Sequence, residues 1–171
     1  VDLGPLQPRI PDVVRTGSGK IEMAHELFLK DVDRLKAGLS ASRPPFVLIG
    51  RRHIKSNNSW MHNIERLVKG ADRSALFVHP DDASRLGVSD GGRARVRSRV
   101  GALEAAVRIT DQIMPRVVSL THGRSGRPSG GLTVAAQYLG VNTNVLTDTH
   151  AYDHPSGNAV LDGIPVEVEA V

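Results

Sequence analysis

Phe46-Val47-Leu48-Ile49-Gly50-Arg51-Arg52-His53-Ile54-Lys55-Ser56-Asn57-Asn58-Ser59-Trp60-Met61-His62-Asn63 is an apolar run that empties into a dense polar loop. Its first four residues read as a buried strand. Behind them stand two arginines, two histidines, three asparagines, two serines and the only tryptophan of the chain. A solvated loop needs polarity, but folding alone does not call for this concentration directly after a core strand. Arg offers a planar, permanently charged donor fork suited to phosphate. Asn sets a donor beside an acceptor, which suits the edge of a heterocycle. The loop therefore reads as the seat of a large, polar, phosphorylated ring system.

Outward from this stretch the pattern is that of a β-rich domain. Ala75–Val78 is a short strand. Pro80 then opens a brief helix that Gly87 ends, the usual asymmetry of Pro at the start and Gly past the end. Ser89-Asp90-Gly91-Gly92 is a tight turn. Arg93 to Val100 alternates basic with small or apolar residues, a strand with one wet face, and its arginines read as a solvated stripe. Gly101 turns the chain, and Ala102–Thr110 returns as the partner strand. Val117–Leu120 is another buried strand, Leu132–Tyr138 a possible helix, and Ile164–Val171 a closing strand. A Gly-rich loop with Arg124 and Arg127 lies between. Short strands with hairpin and crossover connections point to a closed β-barrel, without saying which one.

Before Phe46 the character changes. Val1–Ser18 is Pro-rich and aperiodic and reads as an extended arm. Gly19–Met23 could make a short strand. Leu27, Phe28, Val32, Leu35 and Leu39 fall at helical spacing up to about Gly38. Residues 1–45 are thus expected to be an arm or linker from a preceding domain, and residues 46–171 a barrel domain.

The bulk numbers narrow the function classes. The 171 residues suit one domain with an appendage. Apolar content is 40% and aromatic content 4%, so the core must be built from Val, Leu, Ile and Ala. The net charge of +4 comes from arginine, 17 of the 22 basic residues. It suits an anionic partner, but no basic block is interleaved with aromatics, so nucleic acid is not the expected ligand. The chain has no cysteine, which excludes disulfides, thiol nucleophiles and Cys-ligated clusters or zinc within it. This fits a reducing, cytoplasmic setting. No apolar run reaches membrane-spanning length, and the histidine spacings match no metal site.

Four segments taken together carry a resemblance. They are Gly50-Arg51-Arg52 followed by Asn58-Ser59-Trp60-Met61-His62-Asn63; HPDDASRLGVSDGGRARVRSRVG at 79–101; VRITDQIMPRVVSLTHG at 107–123; and GVNTNVLTD at 140–148, with Pro155-Ser156-Gly157 beyond. In this order and spacing they resemble the C-terminal molybdopterin-dinucleotide-binding domain of molybdenum oxidoreductases, the superfamily of formate dehydrogenases, nitrate reductases and dimethyl sulfoxide reductase. The resemblance implies a mainly β fold, a six-stranded double-psi β-barrel of the aspartate decarboxylase-like kind with short helices. It implies a role in burying and orienting bis-molybdopterin guanine dinucleotide (bis-MGD), with molybdenum or tungsten in the full-length enzyme. The partners are then the remaining domains of the parent oxidoreductase, and the chain is not expected to be catalytic alone.

By the same resemblance, the cofactor-contacting residues are Arg51, Arg52, Ser59, Trp60, His62, Asn63, His122, Gly123, Asn142, Asn144, Thr147 and Asp148. No catalytic or metal-ligating residue is expected among them. Each has a plainer reading. Thr147 and Asp148 could cap a turn, His122 could be a core histidine, Trp60 could plug the barrel end, and Asn142 and Asn144 could occupy left-handed backbone. The alternative function is a free-standing double-psi barrel that binds protein or nucleic acid. A decarboxylase of this fold would be cleaved at a Gly-Ser step, and the single one here, Gly17-Ser18, lies in the arm.

Overall fold

The computed structural model describes residues 1–70, 73–123 and 131–171. The chain separates into two compact units, Val1–Ala41 and Ser42–Val171. The first holds one helix, α1 (Glu26–Ser40), close to the span its spacing predicts. His25 caps it by accepting from Leu27 N, satisfying one of the donors a helix leaves open at its start. The strand expected at Gly19–Met23 does not form. Gly19 has φ +65° and the Thr16 hydroxyl donates to the Lys20 carbonyl at 2.6 Å. The segment closes on itself as a turn and offers no edge for a partner.

The second unit is a closed barrel of six strands: β1 (Phe46–Arg51), β2 (Leu76–Val78), β3 (Arg93–Arg97), β4 (Ala102–Ile109), β5 (Val117–Thr121) and β6 (Ile164–Ala170). Their order around the barrel is β1-β5-β2-β4-β3-β6, with β6 returning to β1. Two pairs are parallel, β1 with β5 and β2 with β4; the others are antiparallel. Parallel neighbours require crossovers rather than hairpins, and two such pairs in one closed sheet give the double-psi β-barrel. The buried apolar residues are all Val, Leu, Ile and Ala, with Leu76, Val78, Val96, Val118 and Leu120 fully enclosed. The near absence of aromatics in the composition thus describes the core directly.

Three local departures have simple causes. A one-turn helix, α2 (Glu65–Val68), lies after the polar loop. At four residues it is too short for periodicity to reveal. The helix expected over Leu132–Tyr138 is only a 3-10 turn at Ala135–Gln137. A further 3-10 turn at Thr143–Leu146 carries the core residue Leu146. The Gly-rich loop with Arg124 and Arg127 lies outside the described residues.

On the outer face of β3 the arginine stripe is solvent-exposed, as expected, and each charge is answered across the sheet. Arg93 meets Glu104 at 3.5 Å, Arg95 meets Glu104 at 2.9 Å and Glu169 at 3.0 Å, and Arg97 meets Glu167. Such exposed pairs are screened by solvent and add little to stability, so the ladder sets register and solubility instead.

The helix α3 (Pro80–Leu86) begins on the His79 cap, whose Nδ1 accepts from Asp81 N at 3.2 Å, and ends at Gly87 in left-handed backbone, φ +67°. Its Asp82 is fully buried. The Asp82 carboxylate accepts from Arg116 N at 2.6 Å and from Arg85, tying α3 to the residue that enters β5. Arg116 in turn donates to the carbonyls of Pro45 (3.2 Å) and Pro44 (2.8 Å) just before β1. Asp82→Ala should lower stability by about 1–3 kcal/mol, the usual cost of stranding a buried donor. Urea unfolding measures it; an unchanged midpoint would mean that water replaces the carboxylate at Arg116 N.

Candidate functional site

Strands β1 and β5 run side by side and deliver the two central segments of the site. Arg51 ends β1 and Thr121 ends β5, in register with one another. His122 N then donates to the Arg51 carbonyl at 2.8 Å. The chain leaves β1 as the polar loop and folds back over the end of β5. Asn57 and Asn58 make that reversal with φ of +40° and +60°, which Asn tolerates better than most residues. Gly123, at φ +90°, sits directly beneath. A Cβ there would lie 2.3 Å from the Asn58 carbonyl oxygen, so the two backbones touch where only glycine fits.

A cavity of about 300 Å³ opens here, lined by Arg52, His53, Ile54, Ser56, Asn57, Asn58 and His122. Arg52 donates to the Asn58 side-chain oxygen. Among the described residues this is the one partner of its guanidinium, which has five donors to offer. His122 also borders a neighbouring cleft of about 30 Å³, with Gly50, Thr143, Asn144, Thr147 and Leu161 on its walls. The two hollows share His122. Arg52, His122, Asn144 and Thr147 therefore lie along one surface although the chain separates them widely. Asp162, whose carboxylate accepts from Gly50 N, braces the floor from the approach to β6.

Other expected residues sit differently. Arg51 points into the fold. Its Nη1 donates to the carbonyl and hydroxyl of Ser119, both at 3.2 Å. Its Nη2 donates to the Thr121 hydroxyl at 2.9 Å and to the carbonyls of Ala75 (3.0 Å) and Arg73 (3.4 Å). The guanidinium carbon lies 3.5 Å from the centre of the Phe77 ring. Burial, and then the charge of Arg108, push the Arg51 pKa down to about 10. Asn63 turns toward the 3-10 turn at Ala135–Gln137, its Oδ1 accepting from Val134 N (3.0 Å) and Ala135 N (3.1 Å). Trp60 does not plug the barrel; it is 85% exposed, beside the exposed Ser59 and before the half-buried His62.

In the late loop Asn142 caps the 3-10 turn by accepting from Asn144 N at 3.1 Å. Its φ is −87°, so neither it nor Asn144 adopts left-handed backbone. The Thr147 hydroxyl donates to the Asn144 carbonyl at 2.8 Å. Asp148 does not line either of the hollows that share His122; it lines a third and larger one of about 680 Å³, with Pro44, Arg97 and Arg99. All three hollows are more apolar than polar in their lining; the smaller pair is the better candidate because the dense polar loop after β1 forms its wall. Arg99 holds the Asp148 carboxyl down at about 2, with help from His150 N.

Residues 46–163 match the family model described as "Molydopterin dinucleotide binding domain". The chain belongs to this family. As a molybdopterin-dinucleotide-binding domain it has relatives among large oxidoreductases. It is 27% identical over 143 residues to the alpha subunit of a formate dehydrogenase from Methanococcus maripaludis, covering 83% of this chain and 18% of the relative. It is 30% identical over 126 residues to a tetrathionate reductase subunit from Salmonella typhimurium, covering 63% and 12%. Acetylene hydratase from Pelobacter acetylenicus shares the fold, with a TM-score of 0.67 at 19% identity over 91% of this chain and 24% of that one. The domain thus spans less than a quarter of these proteins. Among its described residues no helix is long and apolar enough to cross a membrane, and no three His, Asp or Glu side chains gather as for a metal ion.

The twelve expected contact residues thus fall into three groups. Arg52, His122, Asn144 and Thr147 line the paired hollows, and Gly123 packs against the Asn58 backbone next to them. Arg51, Asn63, Asn142 and Asp148 make hydrogen bonds within the domain. Ser59, Trp60 and His62 occupy the outer part of the loop. The cavity also includes His53, Ser56, Asn57 and Asn58, which were not among the expected contacts. A signal for them exists, since they stand inside the polar run itself. Asp162 has none: only the return of β6 to β1 places it under Gly50.

Proposed function

We propose that this domain forms one wall of the cofactor cleft in a molybdenum or tungsten oxidoreductase, of the formate dehydrogenase or nitrate reductase branch, and that Arg52, His122, Asn144 and Thr147 are the side chains it presents. The observation that carries the reading is their alignment along two adjoining hollows at the ends of β1 and β5. The donor set suits the family's ligand. Arg52 supplies charge-assisted donors for a diphosphate. His122 adds ring nitrogens to the same hollow, and the Asn144 amide offers the paired donor and acceptor that an amide-amine ring edge requires. The close approach of Gly123 to the Asn58 carbonyl fixes the loop that carries Arg52 and Asn58 against the end of β5.

A hollow of about 300 Å³ is at the lower limit for a ligand site. A dinucleotide is larger, so the remaining walls belong to the other domains of the parent enzyme. When bound, the cofactor supplies the metal-centred redox chemistry. This domain's part is to bind, orient and shield it. The branch assignment is supported by the formate dehydrogenase relative.

Guanosine diphosphate, which shares the guanine and diphosphate of the cofactor, is a usable probe. Titrated into the 171-residue chain, it should shift the amide resonances of Arg52, His122 and Asn144. Arg52→Ala should weaken binding by roughly ten- to a hundredfold, the effect of one lost charge-assisted hydrogen bond. Shifts confined to the Arg93–Arg97 face, with none at His122, would place the site elsewhere.

A further inference from the structure

The late loop Asn142–His150 is held from outside by the turn between β3 and β4. At Gly101, in that turn, a Cβ would come within 2.2 Å of the Val145 carbonyl oxygen, so hairpin and loop meet backbone to backbone. Next to it, Arg99 donates to one carboxylate oxygen of Asp148, and the other oxygen accepts from His150 N at 2.8 Å. Both oxygens therefore serve the shape of the loop. Arg93, Arg95 and Arg97 find their partners on strands; among the described residues Arg99 alone of this series pairs with a loop. From within, the fully buried Leu146 anchors the same loop to the core. The result is a loop fixed at two points, with Asn144 and Thr147 lining the cleft beside His122 and Asp148 lining a separate hollow with Arg99.

We propose that the β3–β4 turn is a positioning device for the cofactor loop: Arg99 and Gly101 set where Asn144 and Thr147 stand, and Asp148 is the latch for Arg99 rather than a ligand of the cofactor. This rests on reading the hollow beside His122 as a cofactor wall. It differs from the role that the family resemblance implies for Asp148, which is direct contact.

Amide hydrogen exchange on the 171-residue chain, wild type against Arg99→Ala, Asp148→Ala and the double variant, tests the device without any ligand. The reporters are Val145 N and Thr147 N, which donate to the carbonyls of Asn142 and Asn144. Both should exchange several-fold faster in each single variant and no faster still in the double, because the two side chains act as one unit. Arg99→Lys, which keeps the charge, should restore part of the protection. Guanosine diphosphate affinity should fall in both singles, at least as far in Asp148→Ala, which also loses the bond from His150 N, and no further in the double. Unchanged exchange in Arg99→Ala would overturn the proposal. So would an Asp148→Ala variant that loses nucleotide while its loop amides keep wild-type protection. Should the wild type bind no nucleotide, the cleft reading fails, and the exchange comparison still decides the role of Arg99.

Discussion

Arg51→Ala should cost the barrel about 3–5 kcal/mol, a large part of the roughly 5–15 kcal/mol that holds such a domain together. Truncation strands the Ala75 and Ser119 carbonyls and the Thr121 hydroxyl, and it uncovers the Phe77 ring. The guanidinium joins β1, β2 and β5 at one point. Lys could keep the charge but not the forked geometry, so Arg51→Lys should recover less than half of the loss. Urea unfolding by circular dichroism reads both. A variant with unaltered stability but no affinity for guanosine diphosphate would show that Arg51 faces the ligand after all.

The second large effect is expected at Gly123→Ala. The new Cβ would press on the carbonyl group of Asn58, 2.3 Å from its oxygen and 2.6 Å from its carbon, and the residue would be strained at φ +90°. Backbone cannot rotate away as a side chain can. The polar loop must therefore lift off the end of β5, taking Arg52 and Asn58 with it. Together these should cost about 2–4 kcal/mol and reduce nucleotide affinity by more than tenfold. Resonances of Asn58 and His122 should move in the unliganded variant. If they stay in place while affinity is kept, the contact is looser than the geometry requires.

These two residues show what a sequence discloses and what it withholds. The strands of this barrel were legible because apolar runs and alternation are local signals; β3 follows the Arg93–Val100 alternation, exposing its arginines and burying Ala94 and Val96. The helix α3 was legible because Pro80 and Gly87 mark its ends. The order of the strands was not local, and the resemblance rather than any pattern supplied the barrel's name. At the site, the polar loop announced itself by composition, but the direction of each side chain did not. Two adjacent arginines look alike in sequence. The pleat sends neighbouring side chains to opposite faces, so Arg51 points inward and Arg52 outward. Asp148 likewise depends on where the hairpin turn passes, a matter of packing between segments some fifty positions apart.

The placement of β6 has a kinetic meaning. Ile164–Ala170 lies between β1 and β3, bonded to both, so the sheet cannot close until the last strand of the barrel has been made. A ribosome delivers β1 to β5 first, and until β6 arrives the facing edges of β1 and β3 remain open to other chains. Ring closure between such distant segments is slow compared with helix formation. The wall that carries Arg52 and His122 is thus completed only after β6 has emerged. A cofactor that needs this wall must wait for the sixth strand before it can be enclosed.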